Sequence, residues 1–300
     1  MSGNGRPYTY SPITARPTGT WPGGKSLALY VCVGIEEYRL GDGMTEDILP
    51  GIPTPDFANT SWRDYGNRIG AFRLIERLKR FGMPATVLLN TDVYDTAPDL
   101  IAAARQSGAE FVGHGLTNSD TLADRTPSDE RAYLAAVADR IRVEEGTAPG
   151  GWSSPWLTHT ESTIDLLADT GYDYLLDLRL DDQPVWLTNA PRPLLSIPYN
   201  LEINDSSTVV GRGATARDFA DMVIDEFDEL LDASAIAPLA MSIVVHSFVS
   251  GAPFRLRALS RALEHIADHS DRVWMTRPRD IHRYVVDNPG LFPPTTKPQP

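Results

Sequence analysis

The 300-residue chain has a single cysteine, Cys32, and therefore no internal partner with which to form a disulfide. Cys32 lies in an apolar run and reads as a small buried residue, so a reducing, cytoplasmic setting is expected. No window reaches the roughly 18 uncharged apolar residues of a membrane span. Residues 1–20 also lack the apolar core of a secretory signal. Positive charge is scarce as well: 27 Lys and Arg stand against 40 Asp and Glu, a formal net charge of −13. That balance offers no cationic face to nucleic acid or to an anionic membrane, so neither is expected as a partner and a small molecule is.

What is present is the composition of a globular protein, 42% hydrophobic and 22% charged. Residues 1–24, rich in Gly, Pro and Thr, read as an extended arm, and residues 291–300, rich in Pro, as a flexible tail. Between them, residues 25–290 alternate short apolar runs with helical patterns. Strand patterns begin with 27–33, 85–90 and 110–114 and continue with "GGWSS", "YDYLLD", "PLLSIPY" and "MSIVVH". Helical patterns fall from about 67 to 81 and near 95–107, 128–145, 160–170, 216–231, 253–267 and 277–287. Residues 38–65 show no sustained period and read as a long loop of the kind that carries function. Such alternation predicts one α/β domain, a parallel sheet covered by helices and curled into a distorted (β/α) barrel, complete or incomplete.

In such barrels the chemistry gathers where strands end. The polar residues at those ends are Glu36 with Glu37, Asn90, His114, Trp152 with Ser153, Asp177 with Asp181 and Asp182, and His246. An isolated Glu-Glu pair is more often a solvated turn than a site. Two carboxylates and two strand-end histidines on one face shift that balance toward chemistry. His159, His265, His269 and His282 sit in loop or helical patterns with charged neighbours, where a solvated side chain is expected. Trp152, Trp156 and Trp186 read either as core packing or as the flat walls of a pocket. Asp181 and Asp182 read either as a capped loop or as a device to orient His246 or to bind substrate N–H groups. Arg39, Arg63, Arg68 and Arg255 read either as surface ion pairs or as clamps on a carboxylate or carbonyl.

Glu36-Glu37, "FANTSWRDYGNRIGAFRLIERL", "GHG" at His114, "GWSSP", "DDQPVW", "IPYNLEIND" and "VHSFVSGAPFRLRAL" occur in this order, each beside a strand pattern. Together with "WPGG" before the first strand they resemble the polysaccharide deacetylase superfamily, and more narrowly its branch of cofactor-independent allantoinases. That resemblance implies a deacetylase-type barrel in which Glu36 is the base, His246 the acid for the leaving nitrogen, and Glu37 and His114 the metal ligands. It also implies that Asp182 assists catalysis, and that Glu37, His114, Trp152, Trp186, Asn204 and Asp205 contact substrate. Four residues after His114, where the superfamily places a second histidine, stands Asn118. An amide is a poor zinc ligand, so either no cofactor or a weakly bound divalent metal such as zinc is expected.

Without strong metal help, Glu36 needs partial burial to raise its pKa, and a proton shared with Glu37 would serve the same end. The function implied is hydrolysis of a non-peptide C–N bond in a small cyclic or linear amide: allantoin, a hydantoin, a ureide or a cyclic imide. The alternatives are a metal-dependent N-deacetylase of an amino sugar or peptidoglycan-type polymer, and a barrel that binds without catalysis. The resemblance further implies a homo-oligomer, perhaps a tetramer, with the terminal arms wrapping a neighbouring subunit.

Overall fold

Nine consecutive buried residues, Leu27–Ile35, form strand β1 at the centre of the sheet. The structure, a computed structural model, describes residues 6–187 and 190–293; residues 1–5 of the expected arm and 294–300 of the expected tail lie outside these. β8 (Leu239–His246) runs parallel to β1 along one edge, from Leu27 to Gly34. The other edge is shared: β9 (Val273–Met275) pairs at residues 27–29 and β2 (Ala85–Leu89) at residues 31–35. From β2 the sheet continues through β3 (Glu110–Gly113), β4 (Gly151–Trp152), β5 (Tyr174–Leu175) and β7 (Leu195–Ser196), all parallel. β6 (Val185–Trp186) adds antiparallel to β7 and ends the order β6-β7-β5-β4-β3-β2-β1-β8.

The sheet is therefore a curled barrel, as the alternating pattern predicts, and an incomplete one. Among the described residues no strand pairs with the free edge of β8, which is met instead by the segment 197–205 and, at its start, by Asp182. Ile203 accepts from the Val244 amide at 2.9 Å, and the Asn200 amide donates to Ser242 Oγ at 2.7 Å. The period of two divides every strand between two cores. Leu27, Leu29, Val31, Val33 and Ile35 face the helices, whereas Ala28, Tyr30 and Cys32 face the barrel interior with Leu88, Val112, Ala240 and Val244.

Nine α-helices among the described residues cover the outside: α1 (Phe57–Tyr65), α2 (Ala71–Arg80), α3 (Val93–Thr96), α4 (Pro98–Gln106), α5 (Pro127–Glu145), α6 (Thr163–Thr170), α7 (Ala216–Ala233), α8 (Pro253–Ala267) and α9 (Pro278–Asp287). None of these is long and apolar enough to cross a membrane. Helix begins ten residues earlier than the periodicity predicts, because Asp56 caps α1 by accepting from the Asn59 amide at 2.9 Å. A π turn, Gly66–Gly70, then joins α1 to α2. Pro98, which has no N–H to donate, divides the expected 95–107 helix into α3 and α4.

The described part of the arm packs on its own chain. Trp21 is 1% exposed, donates Nε1 to the Leu239 carbonyl at 2.6 Å and stacks on Phe292 at 5.3 Å. Arg16 pairs with Asp181 at 2.6 Å.

The π turn sits hard against the loop after β8. A Cβ built on Gly70 lands on the Ser247 carbonyl oxygen, whose residue also ties its amide to Gly34 O at 3.1 Å. Gly70→Ala is expected to lose about 1–3 kcal/mol of stability, read as a lower urea midpoint with an unchanged slope.

Candidate active site

The same alternation that builds the interior core continues past the strand ends. Gly34 and Glu36 follow Cys32 inward, and a Cβ on Gly34 would come within 2.8 Å of the His246 ring and 3.1 Å of Glu36 Oε1. His114 continues the inward face of Val112, and His246 that of Val244. Asn90 stitches the strand ends together: it accepts from the Glu37 amide at 2.9 Å and donates to the His114 carbonyl.

Glu36 is the hub of the group. Its Oε1 lies 3.5 Å from His114 Nε2 and 3.4 Å from His246 Nε2. Its Oε2 accepts from the Tyr38 hydroxyl at 2.7 Å and from Asn118 Nδ2 at 3.1 Å. The Ser153 carbonyl accepts from His114 Nδ1 at 2.8 Å, which fixes the proton there and turns Nε2 toward Glu36. Asp205 clasps His246: it accepts from ring Nδ1 at 2.6 Å and from the His246 amide at 3.0 Å, and also from the Ser250 amide at 3.1 Å.

The electrostatics follow from that geometry. Burial works against a charged His246, but the carboxylates of Glu36 and Asp205 outweigh it and push its pKa up to about 10. Burial likewise pushes the Glu36 carboxyl up, yet the His246 charge, with His114 and the Tyr38 hydroxyl, overcomes it and holds the pKa below the ordinary value. The expectation that burial raises Glu36 toward neutrality is thus reversed, because a cation shares its burial.

Glu37 points the other way, as the residue next to an inward one on extended backbone must. Its Oε2 accepts from Thr96 Oγ1 at 2.7 Å, and its pKa is raised by burial, with Asp64 and Asp92 adding to the rise. It lines an outer groove of about 630 Å³ with Asp64, Asn67 and Arg68. Neither the proton shared with Glu36 nor the metal pair with His114 is formed.

Asp182 is not brought to His246. It pairs with Arg179 at 2.9 Å, and its carbonyl accepts from the Ala240 amide, six residues and about 20 Å back along β8. Asp205 does the orienting instead. Trp152 is wholly buried, bonded to Ser154 Oγ and edge-on to Tyr172, so it is core rather than a pocket wall. Trp186 lines a cavity of about 610 Å³ with Tyr8, Arg16 and Asp181 beside the terminal segments. Asn204 bridges to Val244, and its Oδ1 accepts from the Ser206 amide at 3.0 Å, holding the turn that delivers Asp205. Arg39 and Arg63 are taken by Asp120 and Asp47.

Tyr38 is absent from the sequence reading, and Trp156 and His159 are placed differently from it. Tyr38 caps Glu36, and its ring meets Phe248 at 5.9 Å while Phe248 meets Trp62 at 4.8 Å. Trp156 donates Nε1 to the Asn118 carbonyl at 2.6 Å from a backbone at φ 57°. His159, read as solvated, is paired with Asp177 at 2.7 Å, and that bond and charge lift its pKa against the opposing effect of burial. Counting inward positions along each strand finds Glu36, His114 and His246; nothing in the loop sequence points to Tyr38 or His159.

Asn118 stands where a third ligand would be needed, and its amide is engaged within the site. Among the described residues no group of three or more His, Cys, Asp or Glu is arranged to hold one. Asn118 presents its N–H₂ to Glu36 and Tyr38, and His246 carries a proton on both nitrogens.

Residues 64–175 match the polysaccharide deacetylase family. A solved allantoinase, Puue, superposes with a TM-score of 0.79 at 28% identity, over 90% of this chain and 94% of that one. A Pseudomonas aeruginosa PAO1 structure, provisionally named a polysaccharide deacetylase, gives 0.80 at 27% identity over the same shares. Residues 64–175 thus carry a polysaccharide deacetylase domain, and the whole fold is similar to both of these structures. The chain is thereby a hydrolase of carbon–nitrogen bonds other than peptide bonds. A Schizosaccharomyces pombe protein, also provisionally named a polysaccharide deacetylase, is 26% identical over 278 residues, 86% of this chain and 85% of that protein. The superfamily match includes His114 and Asn118, while Glu36 and His246 flank it.

Two measurements check this geometry. NMR titration should find the His246 ring protonated at pH 8 with a midpoint near 10, and Asp205→Asn should move that midpoint down. Because the folded pKa lies above the unfolded value of about 6.5, this group's stabilisation is whole below pH about 6.5 and is lost as pH rises through about 10. Stoichiometric zinc should not raise the melting temperature, nor should a chelator lower it; a rise on adding zinc would mean that Glu36, His114 and Asn118 rearrange into a metal site.

Proposed function

We propose that this enzyme hydrolyses a C–N bond in a small cyclic or linear amide, such as allantoin, a hydantoin, a ureide or a cyclic imide. The observation that carries the reading is Glu36 Oε1 held between the Nε2 atoms of His114 and His246. Two donors occupy Oε2, so Oε1 is the oxygen left to take a proton from water. As that proton moves to Glu36, the water oxygen bonds to the carbonyl carbon. His246 then gives its Nε2 proton to the leaving nitrogen as the C–N bond breaks, with Asp205 holding the ring. His114, fixed through Nδ1, orients the attacking water.

Enclosure supports a small substrate. Glu36, His114, Asn118 and His246 expose only 4, 5, 5 and 8% of their surfaces, so the reacting groups offer little area to a broad polymer face. The similarity to an allantoinase structure supports the same choice. A polymer deacetylase remains the competing reading, supported by the name of the fission-yeast relative. A homo-oligomer in the cytoplasm, without resident metal, belongs to the same proposal.

A substrate panel decides between them. Ring opening of allantoin, hydantoin or succinimide should exceed acetate release from chitin oligomers, and faster acetate release would overturn the proposal. Glu36→Gln should lower the rate constant by roughly 10² to 10⁴ while leaving binding intact.

The pH–rate profile should show a broad plateau. Its acid limb should lie below the ordinary carboxylate value, where Glu36 protonates, and its alkaline limb near 10, where His246 loses its proton.

A further inference from the structure

The loop between the end of β1 and the start of α1 inverts the usual logic of burial. Across residues 39–58, Leu40, Met44, Leu49 and Ile52 are exposed by 54, 40, 53 and 37%. Glu46, 9% exposed, is the one buried residue of that stretch. Burying a carboxyl where four apolar side chains stood ready is unfavourable unless the carboxyl is needed there.

Its position is held on both sides of the site. The Met44 amide donates to the Ser119 carbonyl at 3.0 Å, next to Asn118, and Arg63 Nη1 donates to the Glu46 carbonyl at 2.8 Å. Glu46 Oε1 accepts from Ser206 Oγ at 2.7 Å, the residue after Asp205. The carboxyl is near enough for the charges of His246, Glu36 and Asp205 to act on it. Among the described residues no donor reaches its Oε2. Asn118 Oδ1 is buried and has no donor. The site thus holds two acceptors that no donor among the described residues reaches, Glu46 Oε2 and the buried Asn118 Oδ1, and the second is unfavourable until a donor arrives.

We propose that Glu46 is a specificity-determining residue whose Oε2 accepts an N–H from a second nitrogen beside the scissile bond, selecting ureido and cyclic-ureide substrates over simple acetamides. The inference rests on the small-amide reading above and narrows its substrate class. A substrate whose leaving nitrogen meets His246 brings its neighbouring substituent toward Glu46, and an N–H there meets an acceptor whether or not the carboxyl is ionised. A methyl on that nitrogen would face the buried carboxyl with nothing to donate.

The test compares hydantoin with its 1-methyl and 3-methyl derivatives on the wild type and on Glu46→Leu, a change of similar size that suits a buried position. Thermal melts confirm that the variant folds. Wild type should disfavour one of the two methyl derivatives by about 10- to 100-fold in kcat/KM. Glu46→Leu should process that derivative and hydantoin alike, the loss falling on hydantoin. Calorimetric binding to Glu36→Gln, with and without Glu46→Leu, provides the same comparison independently of turnover. Hydantoin turned over with the wild-type discrimination intact in Glu46→Leu overturns the role of Glu46 and leaves the functional reading standing. Discrimination seen in binding without turnover supports Glu46 and sinks the functional reading. Neither binding nor turnover of any ureide overturns both.

Discussion

The arrangement depends on one buried cation. His246 has a carboxylate on each ring nitrogen, Asp205 on Nδ1 and Glu36 beyond Nε2, and each member makes the burial of the others tolerable. An unpaired carboxylate at 4% exposure would take up a proton; paired with an imidazolium it stays ionised. The hydrogen-bonding inventory follows from this. Tyr38 and Asn118 donate hydrogen bonds to Glu36, the Ser250 amide donates one to Asp205, and the Ser153 carbonyl accepts one from His114 Nδ1. The proposed base, Glu36, and the proposed acid, His246, are thus kept in opposite protonation states 3.4 Å apart.

Much of this was legible in the sequence, and the reason is periodicity. Strand runs such as "LALYVCVGI" and "MSIVVH" announce themselves because both faces are buried, and their ends locate Glu36 and His246 directly. Likeness of ordered motifs then supplied the superfamily. The errors cluster where local rules stop. Glu36 and Glu37 look equivalent as adjacent letters, yet an extended backbone sends one into the barrel and the other to an outside groove. Asp182 and Asp205 both follow apolar stretches, and only the fold shows that 182 lies at the wrong end of β8. Tryptophan is a poor guide for a related reason: its bulk serves a core at Trp152 as readily as a pocket.

The long loop after β1 illustrates the limit most clearly. Its composition marks it as irregular, which is correct for residues 39–56, but the Asp56 cap and the helix it starts were hidden because α1 buries little apolar surface. Glu46 carries no sequence signal at all. Its meaning comes from the contrast with its exposed apolar neighbours, and that contrast exists only in three dimensions.

The closing segment 197–205 has a consequence for what holds the site in shape. Along most of the barrel wall strand pairs with strand; toward β8 the wall is completed by irregular chain, the segment 197–205 and the residues before β6, held by a few bonds, among them those of Ile203, Asn200 and Asp182. Such a seam opens at a lower free energy than the sheet around it. Because Asp205 is the last residue of the segment 197–205, fraying there releases His246 while the strands remain folded. The catalytic geometry is then tied to a short irregular passage of chain rather than to the strand ladder itself.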